Sequence, residues 1–212
     1  MMHPSNSDPV AYFDFDGTLT IGDTLMPFLR FVAGTGRYYA KLTRVSPSLL
    51  GYFMRMVRND VVKEAVINEF LAGLEEKSLR ELGEGFAREI LPSLLRPQGM
   101  ERLKWHQQQG HVCVLISASV DLYLEPWSQA QGFDQLICSK LETDEAGALT
   151  GKLSGANCYG QEKLRRAQAW QQGRTPTKTY AYGDTQGDIP LIRFVETGYL
   201  WDPRLNQFKV DS

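Results

Sequence analysis

The chain has 212 residues, 42% of them hydrophobic and 23% charged, with a formal net charge of −2. That is room for one substantial domain, or a core domain with a smaller insertion, of ordinary soluble composition, and a nucleic-acid partner is not expected. No run has the length and apolarity of a membrane span, and the polar start from Met1 to Pro9 lacks the order of a signal peptide, so cytoplasmic residence is the default expectation.

The first element is the apolar run Val10-Ala11-Tyr12-Phe13, a short buried strand. It leads directly into Asp14-Phe15-Asp16-Gly17-Thr18-Leu19-Thr20. Two carboxylates spaced i, i+2 at a strand end, followed by a glycine turn, suit a metal and an attacking carboxylate better than a core.

From about Thr24 to Leu95 the pattern is helical, with no convincing strand. Apolar periodicity predicts helices over Met26 to Ala33, Arg37 to Thr43, Ser48 to Arg58, Val61 to Leu71 and Ser78 to Leu91. Between Arg30 and Lys63 seven basic residues (Arg30, Arg37, Lys41, Arg44, Arg55, Arg58, Lys63) face one acid, Asp60. Such a surplus is either a solvated helix face or an attraction for an anionic ligand or membrane surface.

Strands and helices alternate after that. A helix from about Pro97 to Gln109 has proline near its start and Gly110 past its end. Strands follow at Val112 to Ile116 and Gln135 to Cys138. Lys140 to Leu153, with Asp144-Glu145-Ala146-Gly147 in its middle, reads as a β-hairpin. A helix around Gln161 to Gln172, closed by Gly173, precedes the strand Thr179 to Tyr182, and a fifth strand is expected at Thr197 to Trp201. The alternation implies an α/β fold with a doubly wound parallel sheet, which collects ligands at the carboxyl ends of its strands. The expected division is a core of residues 1–22 and 96–212 and a helical cap of residues 23–95.

Cys113, Cys138 and Cys158 are too scattered for a metal knuckle and odd in number for a disulfide framework. His3, His106 and His111 lack metal-ligand or nucleophile spacing, which leaves a zinc enzyme or serine–histidine hydrolase without support.

Four places carry chemistry together: Asp14/Asp16; Ser117-Ala118-Ser119 after the second strand; Lys163 just inside a helix; and Gly183-Asp184-Thr185-Gln186-Gly187-Asp188 after the strand Thr179 to Tyr182. Singly, each reads equally as a turn, a cap or a solvated lysine. Three of the four stand at the carboxyl end of a predicted strand. So many carboxylates cannot share a pocket ionised without a cation, and hard oxygen ligands favour Mg²⁺. A phosphoryl group held by the metal, Lys163 and Ser117 implies phosphoryl transfer to an aspartate.

These motifs, in this order, make the chain resemble the haloacid dehalogenase (HAD) superfamily of phosphohydrolases, and the resemblance spans essentially the whole sequence. The helical insertion resembles the C1 cap. The hairpin and Asn157-Cys158-Tyr159-Gly160-Gln161-Glu162-Lys163 are similar to the phosphoserine-phosphatase-like branch, subfamily IB. The resemblance implies Asp14 as nucleophile and Asp16 as general acid and base. It implies Mg²⁺ bound by the Asp14 and Asp184 carboxylates and the Asp16 carbonyl, with Asp188 behind them. Ser117, the Ala118 N–H and Lys163 would hold the phosphoryl group. A phosphomutase would share Asp14 and Asp16, whereas the transport-ATPase branch has threonine where Asp16 stands. A non-catalytic phosphate-binding or membrane-surface module on the same scaffold is the rival of another class.

The substrate is left open as a small-molecule or lipid phosphomonoester. Phosphoserine phosphatases of this branch have Ser-Thr after the second aspartate and a glutamate nine residues after the nucleophile, where this chain has Gly17-Thr18 and Asp23. The basic insertion with Tyr38, Tyr39, Leu49, Leu50, Tyr52, Phe53 and Met54 instead resembles phosphatidylglycerophosphatase-like members, which implies peripheral membrane contact. The same residues equally read as packing between cap helices.

Overall fold

The computed structural model describes residues 5–53 and 59–211. Strand β1 (Val10–Phe13) lies at the centre of a six-stranded sheet of order β3-β2-β1-β6-β7-β8. Its neighbours are β2 (Val112–Val120) and β6 (Thr179–Gly183), both parallel to it, with Phe13 level with Leu115 and Tyr182. Strand β3 (Gln135–Ser139) extends the sheet beyond β2, and β7 (Thr197–Asp202) extends it beyond β6, again in parallel. All four residues of β1 are buried, as a strand covered on both faces must be. The parallel register brings the ends of β1, β2 and β6 side by side, and the residues that follow them share one rim of the sheet.

The expected strands stand, with two differences. β2 continues past Ile116 to Val120, and its pairing with β3 shifts between Ser117 and Val120. Ser117 therefore lies inside an irregular strand end, where the register break frees backbone groups. The sheet also gains an antiparallel edge, β8 (Gln207–Val210), of which only Phe208 is buried. The expected hairpin is β4 (Leu141–Thr143) with β5 (Leu149–Leu153).

Between β1 and β2 run α1 (Leu25–Ala33), α2 (Thr35–Phe53), α3 (Asn59–Leu71), α4 (Glu76–Glu89), a short 3₁₀ turn (Leu91–Leu94) and α5 (Pro97–Gln108). The two helices expected over Arg37 to Thr43 and Ser48 to Arg58 are joined: α2 passes through Pro47 without stopping. Pro47 has no N–H for the Thr43 carbonyl four residues back. The Ser46 hydroxyl donates to that carbonyl at 2.8 Å, which removes the reason to break. The end of the second expected helix, with Met54, Arg55 and Arg58, lies outside the described residues, as do the side chains of Leu49, Tyr52 and Phe53.

A helix absent from the sequence reading, α6 (Asp121–Ala130), follows β2 despite Pro126 in its middle. α4 packs on it closely: a Cβ on Gly83 would lie 2.1 Å from the Leu122 carbonyl oxygen, so only glycine fits. Arg80 of α4 pairs with Asp121 and Glu125 of α6 across the same contact. The helical insertion is thus seated on the sheet layer. α7 (Gln161–Gln171) and the short α8 (Ile189–Ile192) lie on either side of β6 in the chain. Among the described residues no helix is long and apolar enough to cross a membrane.

Candidate active site

β1 ends at Phe13, and the Asp14 N–H still donates to the Tyr182 carbonyl of β6 at 3.0 Å. This ties the first acid to the strand that carries Asp184. Lys163, 2% exposed in the first turn of α7, reaches both Asp14 Oδ1 at 2.7 Å and Asp188 Oδ1 at 2.5 Å. Carboxylate oxygens of Asp14, Asp184 and Asp188 lie within 4.8 Å of one another. Three carboxylates and one ammonium leave two negative charges unbalanced in a largely buried place, a charge pattern that suits a divalent cation.

The four groups divide their lone pairs unequally. Asp188 Oδ1 takes Lys163, and its Oδ2 accepts the Asp184 N–H at 3.2 Å and both the N–H and the hydroxyl of Thr185 at 3.0 Å. Asp188 is therefore a brace, saturated by its own loop. Asp14 Oδ2 and Asp184 Oδ1 receive only a long contact, 3.4 Å each, from the Thr18 hydroxyl. These two carry the spare acceptor capacity for a cation. Gly17 (φ +78°) makes the approach possible, since a Cβ there would lie 2.0 Å from Asp184 Oδ2.

Acidity follows from this crowding. Burial, then the Asp188 charge, holds the Asp14 carboxyl above the usual range against the pull of Lys163. Burial and Asp188 likewise push Asp184 up to about 6. For Asp188, burial is outweighed by Lys163 and the local donors, and its pKa falls. Burial works against the Lys163 ammonium, but Asp14 and Asp188 outweigh it and keep the lysine charged. A bound cation would remove the repulsion that raises Asp14 and Asp184.

Asp16 stands in an adjoining network. Its Oδ1 accepts the Thr24 N–H at 2.8 Å and the Thr24 hydroxyl at 2.6 Å. Its Oδ2 accepts the Ser119 hydroxyl, and Tyr123 Oη donates to Ser119 Oγ at 3.0 Å behind it. Burial and the neighbouring Asp23 charge lift Asp16 to about 6, while the Ser119 and Thr24 donors hold it down. This carboxylate is therefore set apart from the Asp14–Asp184–Asp188 group in its hydrogen-bond contacts.

Buried Ser117 accepts the Ser119 N–H at 3.0 Å, and the Ala118 carbonyl accepts from Lys63 of α3. Lys63 also donates to Asn157 Oδ1 at 2.9 Å. One lysine of the basic insertion thus faces inward; burial lowers it to about 8, opposed by Asp16 and Asp23. Lys41 and Arg44 are engaged as well, both on Glu69. Part of the charge surplus is answered inside the chain.

Thr24, Ser119, Tyr123 and Lys63 were not singled out as site residues in the sequence. Ser119 had a signal as the third residue of Ser117-Ala118-Ser119, and Lys63 as a member of the basic run from Arg30 to Lys63.

A family model described as haloacid dehalogenase-like hydrolase matches residues 11–193. The chain belongs to the haloacid dehalogenase-like hydrolase family. It is 35% identical over 188 residues to Protein CicA of Caulobacter vibrioides, spanning 88% of this chain and 83% of that one. It is 29% identical over 196 residues to histidinol-phosphatase of Neisseria meningitidis serogroup C, spanning 88% and 86%. A solved structure from Bordetella pertussis Tohama I, of unknown function, shares the fold with a TM-score of 0.79 at 24% identity, covering 91% and 89% of the two chains. Within its family the chain is a phosphatase, a phosphoric monoester hydrolase.

Proposed function

We propose that the protein is a Mg²⁺-dependent phosphomonoester phosphatase that works through an aspartyl-phosphate on Asp14. The observation that carries the reading is Lys163 bonded to Asp14 and Asp188 beside Asp184, a cluster two positive charges short of balance. Asp14 and Asp184 would hold Mg²⁺, together with the Asp16 carbonyl. The ion would supply charge neutralisation for the phosphoryl oxygens.

The chain's own groups do the rest. A carboxylate oxygen of Asp14 forms a bond to phosphorus as the ester P–O bond breaks. The departing oxygen takes a proton from Asp16. Asp16, now ionised, takes a proton from water; the water oxygen bonds to phosphorus, the P–O bond to Asp14 breaks, and free phosphate leaves. A group at about 6 exchanges protons in both directions near neutral pH, and the Thr24 and Ser119 donors fix its orientation. Ser117, the Ala118 N–H and Lys163 hold the phosphoryl oxygens.

Residues 23–95 serve as a cap, and Lys63 carries a cation from it to the edge of the site. A small phosphorylated metabolite is the favoured substrate class. Phosphoserine specificity is a narrower reading that the site does not favour: Asp23, the one acid in the place of the amine-binding glutamate, accepts the Met26 N–H at 3.0 Å. A lipid phosphate such as phosphatidylglycerophosphate, with peripheral membrane contact, has one observation in its favour. A cleft of about 570 Å³ between α1 and α2 is lined by Met26, Phe31, Tyr38, Leu42 and Ile90 with Arg30 at its side.

The test is hydrolysis of an aryl phosphate with Mg²⁺, with EDTA, and with Asp14→Asn. Turnover that needs Mg²⁺ and vanishes in the variant is expected. An inert wild-type protein across several phosphomonoesters would instead favour a non-catalytic phosphate-binding module. Comparing phosphoserine, histidinol phosphate, sugar phosphates and dispersed phosphatidylglycerophosphate by kcat/KM then ranks the substrates. Failure of liposomes to bind the protein at low salt removes the lipid reading.

A further inference from the structure

Arg96 stands where the chain returns from the helical insertion to the core, one residue before α5. It is 9% exposed, and its guanidinium carbon lies 3.9 Å from the centre of the Trp201 ring on β7. One guanidinium nitrogen donates to the Gly17 carbonyl at 2.9 Å, with a longer 3.4 Å contact to Ile21. Its own N–H donates to the Leu19 carbonyl at 2.7 Å, and Ile21 donates to Leu94 at 2.9 Å. The outgoing and returning strands of the insertion are therefore laced together around this one side chain.

The loop so gripped is the wall of the site. Gly17 presses on Asp184 from one side while Arg96 holds its carbonyl. The next residue, Thr18, places its hydroxyl between Asp14 and Asp184. A few residues on, Thr24 grips Asp16. Rotation of the Gly17 peptide would disturb both cation-facing carboxylates.

Arg96 Nε is buried with no partner among the described residues, and the ring beside it is apolar. Its polar reach goes instead to the Gly17 and Ile21 carbonyls and its flat face to Trp201. We infer that Arg96 is a positioning residue: through the Gly17 carbonyl, and aligned by Trp201, it fixes the loop that sets the Asp14–Asp184 spacing for the divalent cation.

This inference rests on the Mg²⁺-dependent reading above, and the experiment separates the two. Mg²⁺ affinity is measured by titration calorimetry on wild type, Arg96→Met and Arg96→Lys, alongside melting curves and kinetics. The expected result is Arg96→Met that still folds, with a melting point modestly lowered by the lost Gly17 hydrogen bond, and binds Mg²⁺ about 10–100-fold more weakly, the range for partners that orient metal ligands. Its kcat should fall at saturating Mg²⁺ while KM for the ester moves little. Arg96→Lys keeps the charge but cannot both stack and reach Gly17, so its affinity should fall in between. Wild-type Mg²⁺ affinity in folded Arg96→Met overturns the inference. If that variant does not fold, wild-type affinity in Arg96→Lys overturns it equally. A wild-type protein that binds no Mg²⁺ strikes the proposed function instead.

Discussion

Asp14 and His106 are both buried titratable groups, and β6 touches both: Asp14 through the Tyr182 carbonyl, His106 through the Tyr182 hydroxyl. The surroundings differ in kind. Around His106, Nδ1 meets Nδ1 of His111 at 2.7 Å and Nε2 meets the Tyr182 hydroxyl at 3.0 Å, inside a shell of Phe13, Trp105 and Tyr180 rings. Burial, with His111 and Arg102, presses His106 down to about 3, so the cluster is neutral at physiological pH and its donors and acceptors close on one another. Around Asp14 the groups are charged and do not balance. Burial is common to both; what distinguishes the candidate site from packing is an excess of negative charge that a cation or protons would answer.

The largest effect expected on that contrast comes from Lys163→Met. It leaves Asp14 and Asp188 buried without their ammonium, and breaking such a pair costs about 3–5 kcal/mol of stability. A urea melt at pH 7 should show this, together with loss of phosphatase activity. The sign of the pH dependence is fixed. With the lysine gone, the folded carboxyls titrate above their unfolded values, so the folded state binds more protons and the deficit shrinks as pH falls toward 5. A variant as stable as wild type at pH 7 would mean that the two clusters do not differ in charge.

A smaller effect sharpens the distinction within the site. Ser119→Ala removes a donor that favours ionised Asp16, so its pKa must rise from about 6. In the proposed mechanism water activation needs the ionised form, and the acid limb of kcat against pH should therefore move to higher pH. An unmoved limb would show that Asp16 does not control that step.

Much of this was legible in the sequence. Val10-Ala11-Tyr12-Phe13 reads as a buried strand because nothing polar interrupts it, and Asp14, Asp16, Lys163, Asp184 and Asp188 announce themselves by residue type and order. Helix α6 was hidden by Pro126, whose cost is met by tertiary packing against α4. The continuity of α2 was hidden by Pro47, whose orphaned carbonyl is satisfied by a serine that no helix propensity favours. β8 buries one side chain in four, too little for an alternating signal. The site contacts of Lys63 and Arg96 were illegible for a different reason. A lysine on a basic helix and an arginine before a proline are ordinary surface residues until the chain's return brings Ala118 and Gly17 to them.

The smallest expected effect tests the other cluster. Tyr182→Phe removes the hydroxyl that meets His106 Nε2 and keeps the ring stacked between Phe13 and Tyr199. One neutral hydrogen bond is worth about 1 kcal/mol, so the melting point should fall slightly while kcat and KM stay put. The Asp14 anchor is the Tyr182 backbone carbonyl, which the substitution leaves in place. His106 titrates in the fold at about 3, below its unfolded 6.5, so the unfolded chain takes up the proton first and its contribution to stability is lost as pH drops below that value. The two clusters therefore respond to acid with opposite signs: lower pH relieves the raised carboxyls of the site and strains the histidine pair. A change of kcat in Tyr182→Phe at neutral pH would break the separation between them.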